Sequence, residues 1–188
     1  MKFPMTGLRV LLAAVLAAGW GCGEREDRGA APTQPAAAAP IELAAQARQS
    51  LLELLDAYEE IRSLLAQDKT EGVAEAAGRL SQLGERAAGS VPEILRERLR
   101  KLVLSAAHLK EAGSKDLEHA RRAFGEVSRP VVGLLSAVPS LARERFIFQC
   151  PMVPGDNYNK WVQTKKEISN PYMGMKMAGC GTPSEWSE

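Results

Sequence analysis

The chain has 188 residues, with 24 lysines and arginines against 23 aspartates and glutamates, and 5% of its residues are aromatic. A nucleic-acid-binding surface needs clustered basic charge and aromatic stacking platforms, so this composition argues against a nucleic-acid partner. The length is that of one domain, and many of the apolar residues are alanines, which favour helices. The composition therefore predicts an all-α fold.

The first 21 residues have the pattern of a secretory signal peptide. Lys2 and Arg9 precede an apolar run from Val10 to Ala18, which is too short for a membrane-spanning helix of about 20 residues. Small residues and Cys22 follow, as at the site where a bacterial lipoprotein is cleaved and lipidated. We expect a lipid anchor on Cys22, and ordinary cleavage near Gly19 is the alternative.

Either cleavage exports the mature chain, so we expect a periplasmic protein whose first partner is the membrane, reached through the N-terminal lipid. Residues 22–40 contain three prolines amid alanines and no apolar periodicity. This composition cannot bury a core and is typical of a disordered tether. The tether would hold the folded domain away from the membrane surface.

Residues 41–138 are predicted to form an antiparallel four-helix-type bundle. Apolar residues recur at intervals of three and four residues, as on one face of a helix, and the connections between the helices are short. The stripe of the first helix contains Leu51, Leu54, Leu55, Tyr58, Ile61 and Leu65. After a break near Asp68, the same spacing predicts a second helix from Val73 to Ala87.

Capping signals predict where the other two helices begin and end. Ser90 and Glu93 have the spacing of a capping box that opens the third helix, and Gly113 is expected to end it in a left-handed conformation. Ser114 or Asp116 is expected to cap the fourth helix. Pro130 is expected to break or kink that helix.

The composition changes in the C-terminal segment, residues 139–188. From Phe146 onward the chain holds two of its three cysteines, four of its six methionines and two of its three tryptophans. The β-prone run 146–148 predicts one short strand, and residues 161–164 predict its partner in a small hairpin. The rest of the segment is expected to be irregular and packed on the bundle.

Two sulfur-rich stretches in this segment suggest a metal site. The first contains Cys150 and Met152, and the second contains Met173, Met175, Met177 and Cys180. Thiolate and thioether ligands are soft, and soft ligands select Cu(I) over hard cations; Ag(I) meets the same criterion. His108 and His119 lie near the turn between the third and fourth helices, where they are optional further ligands.

A disulfide between Cys150 and Cys180 is the competing interpretation. With Cys22 lipidated, two cysteines remain in an oxidising compartment, the number that one disulfide needs. Closing a loop of about 30 residues would stabilise the domain by roughly 3 kcal/mol. A zinc site and a c-type haem lack their usual Cys and His spacings, and no catalytic motif is visible, so we do not expect an enzyme.

The spacing of the C-terminal residues resembles an uncharacterised bacterial domain. That domain occurs in secreted proteins and lipoproteins and is also fused to periplasmic adaptor subunits of copper- and silver-exporting efflux pumps. The similar positions are Cys150, Pro151, Met152, Trp161, Ile168, Asn170, Pro171, Tyr172, Gly174, Met177, Cys180 and Gly181. Helical positions are similar too, namely Leu55, Tyr58, Ile61, Asp116, Leu117, Glu118, Arg121, Phe124 and Ser128, so the likeness extends from residue 41 to about residue 182.

The resemblance implies a helical bundle with a sulfur-bearing C-terminal segment and a role in handling copper or another heavy metal. This chain departs from the usual pattern because Met173 replaces a common aromatic residue and Met175 adds a thioether. Together with the sulfur clusters, these features predict a Cu(I)- or heavy-metal-binding chaperone, buffer or efflux accessory, whose partner would be a periplasmic efflux component. The predicted core ligands are Cys150, Met152, Met177 and Cys180, with Met173, Met175 and His119 as weaker candidates.

The alternative is an envelope protein-interaction module without metal, stabilised by a disulfide between Cys150 and Cys180.

Overall fold

The computed structural model of the protein describes residues 41–155 and 157–187. The predicted signal peptide (1–21), the lipidation site Cys22 and the tether (22–40) therefore lie outside the described residues. The helices are α1 (Ala45–Ala66), α2 (Val73–Ala88), α3 (Glu93–Gly113), α4 (Leu117–Ala137), the single turn α5 (Pro139–Ala142) and a 3-10 helix, η1 (Gly174–Met177). The strands are β1 (Phe146–Gln149), β2 (Lys160–Gln163) and β3 (Thr182–Pro183).

The four long helices pack against one another as the apolar spacing predicts, which confirms the helical-bundle fold. Every residue of the predicted α1 stripe is buried, and the buried set continues along the inner faces of α2, α3 and α4. Consecutive helices are in contact, and their connections are short. Burying such stripes is the main stabilising contribution in a bundle of this kind.

One of the predicted helix ends is confirmed and one is wrong. The side chain of Asp116 caps α4, because its Oδ1 accepts the backbone N–H of His119 at 2.9 Å. Ser90 does not open α3: the N-cap position is occupied by Pro92, and the Ser90 hydroxyl instead donates to the carbonyl of Ala87 at 3.1 Å. Ser90 therefore satisfies the end of α2 rather than the start of α3.

Two predicted helix-breaking residues also lie inside helices. Gly113 is the last residue of α3 and not a left-handed cap; a Cβ there would lie 2.8 Å from Val73 Cγ1, so the glycine permits close packing of α3 on α2. The helix α4 continues through Pro130 to Ala137, so of the break or kink predicted there the break is wrong. Buried apolar residues on both sides of the proline, including Val127 and Val131, hold the helix together through tertiary packing.

The predicted strands form, and a third strand joins them. The strand β1 pairs with β2 in antiparallel register, with Phe148 opposite Trp161, as the hairpin prediction requires. On its other edge β1 pairs with β3, so the order is β2-β1-β3. A two-residue strand that contains a proline has no sequence periodicity, and β3 is therefore not detectable in the sequence.

A buried chain of hydrogen bonds attaches the sheet to the bundle. The N–H of Val162 donates to Tyr58 Oη at 3.2 Å, and Ser128 Oγ donates to the carbonyl of Lys160 at 2.8 Å. Because the Ser128 hydrogen is used in that bond, the Tyr58 hydroxyl donates to Ser128 Oγ, 2.8 Å away. Burial raises the pKa of Tyr58, so this hydroxyl keeps its proton.

A run of aromatic rings crosses the same junction. The Tyr58 ring stacks on Phe124 with a centroid distance of 5.3 Å, and Phe124 is 5.7 Å from Tyr172 in the C-terminal segment. The run continues from Tyr172 to Trp161 at 6.0 Å and on to Phe148 at 5.6 Å. Such pairs add to the stabilisation from area burial, so the C-terminal segment shares one core with the bundle.

None of the helices in the part of the chain that the structure describes has the length and apolarity needed to span a membrane.

The junction gives a matched pair of tyrosine substitutions. Tyr58→Phe leaves the buried Val162 N–H without its acceptor, and we expect the free energy of unfolding to fall by about 1–3 kcal/mol. Tyr158→Phe removes a buried hydroxyl that has no hydrogen-bond partner in the described residues, so we expect less than about 0.5 kcal/mol of loss, or a gain. Urea denaturation followed by far-UV circular dichroism measures both, and equal losses would contradict the assigned network.

Candidate functional site

The structure brings Cys150 and Cys180 together although they are 30 residues apart in the sequence. The register of β1 and β3 pairs Gln149 with Thr182, so Cys150 directly follows one paired end and Cys180 lies just before the other. Both are free thiols; Cys150 is fully buried and Cys180 is partly exposed. The pair is therefore accessible from the Cys180 side.

The electrostatics of the pair follow from burial and proximity. Burial raises the pKa of the Cys180 thiol, and the charge and hydrogen bonding of the neighbouring Cys150 raise it further. Two adjacent thiolates would repel each other, so the Cys180 thiol of the metal-free protein retains its proton more readily than an isolated thiol. A bound cation or a disulfide removes that repulsion, and these are the two states that the arrangement favours chemically.

Polar contacts fix the backbone at both cysteines. Cys150 exchanges two hydrogen bonds with Asn159, whose carbonyl accepts from the Cys150 N–H at 2.9 Å and whose Nδ2 donates to the Cys150 carbonyl at 3.1 Å. The Cys180 carbonyl accepts from Nδ2 of the fully buried Asn170. Asn170 Oδ1 also accepts the N–H groups of Tyr172 and Met173 at 2.8 and 3.1 Å.

The predicted thioether ligands differ in their positions relative to the thiols. Met152 lies in the turn that follows Cys150, and Met177 lies one turn before Cys180, whose N–H donates to the Met177 carbonyl at 2.9 Å. Their exposed fractions are 55% and 38%. Met173 is half-buried, and Met175 is exposed. Each cysteine therefore has a methionine within one turn of the chain.

The histidines have carboxylate partners elsewhere. His119 Nδ1 lies 2.8 Å from Asp116 Oδ2, and His108 Nδ1 lies 2.7 Å from Glu126 Oε2. Among the described residues, no three His, Cys, Asp or Glu side chains form a group that can hold a metal ion. The structure thus does not join His119 to the two thiols as a third ligand.

Two arginines of the bundle bind the segment that precedes Cys180. Arg62 Nη1 donates to the carbonyl of Ser169 at 2.8 Å, and Arg121 Nε donates to the carbonyl of Pro171 at 3.0 Å. Arg121 Nη2 donates to the Leu65 carbonyl at 3.0 Å. These bonds position the second sulfur-rich stretch. The sequence gives no direct sign of this role, because charged residues on helices usually face solvent.

Asp68 completes this attachment at the end of α1. Its carboxylate accepts from Arg121 Nη2 and from the N–H of Met175, the latter at 3.2 Å. A Cβ at Gly174, which has φ +60°, would lie 1.8 Å from Asp68 Oδ1, so only glycine fits there. The hydrogen bond from Arg121, with a further one from Met175, holds the pKa of Asp68 below its ordinary value.

A cavity of about 550 Å³ lies between the start of α4 and the C-terminal segment. Its walls include Leu117, Arg121, Arg122, Val153, Tyr158 and Met173. Val153 and Tyr158 lie in the stretch between Cys150 and β2, and Met173 belongs to the second sulfur-rich stretch. The cavity therefore borders the same segments that position the thiols.

Comparisons with known proteins did not identify a relative. No protein-family model, curated protein or solved structure matched the chain. The resemblance to the domain of copper and silver efflux adaptors therefore stays a prediction that depends on the motif residues.

The Asp68 contact predicts a pH-dependent stability. Because the folded-state pKa of Asp68 lies below the ordinary value of 3.8, ionised Asp68 stabilises the fold above that value, and this contribution is lost as the pH falls through the folded-state pKa. Asp68→Asn, which tolerates the local φ of 58°, should therefore destabilise at pH 7. The difference from the wild type should shrink in acid.

Thermal melts from pH 7 to pH 2 measure this effect. Asp56→Asn is the matched control, because Asp56 is an exposed aspartate on the same helix, α1. If the melting temperatures of the wild type and Asp68→Asn differ by the same amount at every pH, the role assigned to the carboxylate is contradicted.

Proposed function

We propose that the protein is an envelope protein that binds Cu(I), or the similarly soft Ag(I), through Cys150 and Cys180. The observation that carries this proposal is the juxtaposition of two thiols that are distant in the sequence, each followed or preceded within a turn by a methionine. Soft sulfur ligands select Cu(I) over the harder cations of the cell.

The third ligand in this proposal is a thioether, and Met177 is the first choice. It lies one turn before Cys180, whose N–H donates to the Met177 carbonyl, and its side chain is less exposed, at 38%, than that of Met152 or Met175. Met152 has the equivalent position beside Cys150. Met175 is the weakest choice, because its backbone is bound to Asp68 and its side chain is 67% exposed.

The setting proposed for this site is the periplasm, with the chain anchored through a lipid on Cys22. Its role there is that of a chaperone, a buffer or an accessory to a heavy-metal efflux system, and not that of an enzyme. The resemblance to efflux adaptor domains supports this role. A periplasmic efflux component is the corresponding partner.

A second candidate function is favoured by the full burial of Cys150. In this alternative the same pair forms a disulfide, and the protein is an interaction module of the envelope that binds a protein partner without metal. The disulfide would close a loop that contains β2 and the segment held by Arg62 and Arg121. The pair would then be a structural staple.

Native mass spectrometry of the reduced protein, exposed to Cu(I) without oxygen, tests the first proposal. We expect one bound copper ion, which is lost in the variant that combines Cys150→Ser with Cys180→Ser. Met177→Leu should weaken binding, whereas the matched variant Met175→Leu should not.

The copper affinity should also depend on pH. Because binding releases protons from thiols, and the Cys180 pKa is raised, the affinity should increase with pH. No copper on the wild type, or copper on the double serine variant, would contradict the proposal.

Thiol labelling of protein prepared from the cell envelope tests the second candidate. Because Cys150 is buried in the folded protein, labelling is done after denaturation. The disulfide module predicts that both cysteines then resist labelling until a reductant is added, and that the mass is two hydrogens below that of the reduced chain. It also predicts that reduction lowers the free energy of unfolding by roughly 3 kcal/mol. Complete labelling before reduction would exclude this module.

A further inference from the structure

The cavity between the start of α4 and the C-terminal segment has apolar walls and two guanidinium groups. Leu117, Val153, Pro154 and Met173 form much of its apolar lining, and Arg121 and Arg122 lie along its α4 side. A volume of about 550 Å³ is within the range of small-molecule sites, which are mostly apolar with a few converging polar groups. The cavity therefore has the size and lining of a ligand site.

Arg121 is held in place before any ligand arrives. Its Nε and Nη2 donate to the carbonyls of Pro171 and Leu65 and to the carboxylate of Asp68. Its Nη1 takes part in none of these bonds, and the side chain is 18% exposed. A guanidinium fixed in this way loses little conformational freedom when it binds an anion.

Arg122 supplies a second positive group, and its existing ion pair is easily broken. Its partner is Glu118, one helical turn earlier, and the side chains of the two are 54% and 81% exposed. Exposed i,i+4 pairs contribute little to stability, so a ligand carboxylate can replace that of Glu118 at small cost. The lining contains two arginines and one carboxylate, that of Glu118, and the Asp68 carboxylate that binds Arg121 lies outside the lining. A ligand carboxylate that replaces Glu118 therefore takes over its pairing with Arg122.

We propose that this cavity binds a small amphiphilic monocarboxylate, with its apolar body against Leu117, Val153 and Met173 and its carboxylate between Arg121 Nη1 and Arg122. A guanidinium matches the planar carboxylate in geometry as well as in charge. The apolar walls favour a ligand with a hydrocarbon or aromatic body over a compact inorganic anion. This site is separate from the thiol pair and does not depend on metal binding.

Isothermal titration of the purified full chain with decanoate, below its micelle concentration, tests the proposal. We expect saturable binding at one site, and decanol, which has the same chain without the charge, should bind at least about tenfold more weakly. Arg122→Glu should also lower the decanoate affinity by about tenfold or more. The matched control is Arg100→Glu, which reverses a similarly exposed charge on α3 and should leave the affinity unchanged.

A second variant tests the apolar part of the cavity. Val153→Trp places a large ring in the cavity and should abolish decanoate binding while the far-UV circular dichroism spectrum stays the same. If this variant does not fold, the comparison of Arg122→Glu with Arg100→Glu decides the question. The proposal is overturned by no saturable binding up to about 1 mM decanoate, by equal affinity for decanol, or by equal effects of the two charge reversals.

Discussion

The rest of the structure depends on how the C-terminal segment is attached to the helical bundle. A buried Tyr58 hydroxyl bonds to Ser128 and accepts the N–H of Val162, so one side chain of α1 satisfies groups on α4 and on the sheet. A buried polar group that lacks a hydrogen-bond partner destabilises the fold. The sheet must therefore lie where these groups can pair, which fixes its position on the bundle. Arg121 does the same for the following stretch, because it donates to the carbonyls of Pro171 and Leu65. Further bonds from Arg62 to the carbonyl of Ser169 and from the N–H of Met175 to Asp68 orient the same segment.

The position of the thiol pair is a consequence of that attachment. The short strand β3 pairs with β1 and leaves Cys150 and Cys180 beside each other at the end of the ladder. Buried Asn170 binds the Cys180 carbonyl and two N–H groups of the same stretch. A preorganised pair of soft ligands can bind a soft cation with little reorganisation, and the same preorganisation favours a disulfide in an oxidising compartment. The two proposed functions therefore share one structural basis, and the redox state of the compartment selects between them.

Sequence reasoning predicted most of the helices and failed at their ends for identifiable reasons. The α1 stripe and the Asp116 cap depend on local spacing, and both are found in the structure. Ser90 and Gly113 have the local signatures of caps, but each satisfies a tertiary or neighbouring requirement instead. Pro130 is retained inside α4 because the buried residues around it are stabilised by contacts with other elements. Local propensity is a weak influence when packing opposes it.

The sequence by itself determined the bundle, the hairpin and the identity of the sulfur-bearing residues, because periodicity and residue chemistry are local properties. Only the tertiary structure decided which of those residues meet. It brought Cys150 and Cys180 together, whereas the imidazole of His119 is hydrogen-bonded to Asp116. It also gave Asp68 and Arg121 their role, since charged residues in a sequence do not reveal which distant backbone they will bind. A contact between residues far apart in the chain depends on strand register and helix packing, and neither of these is set by the residues that make the contact.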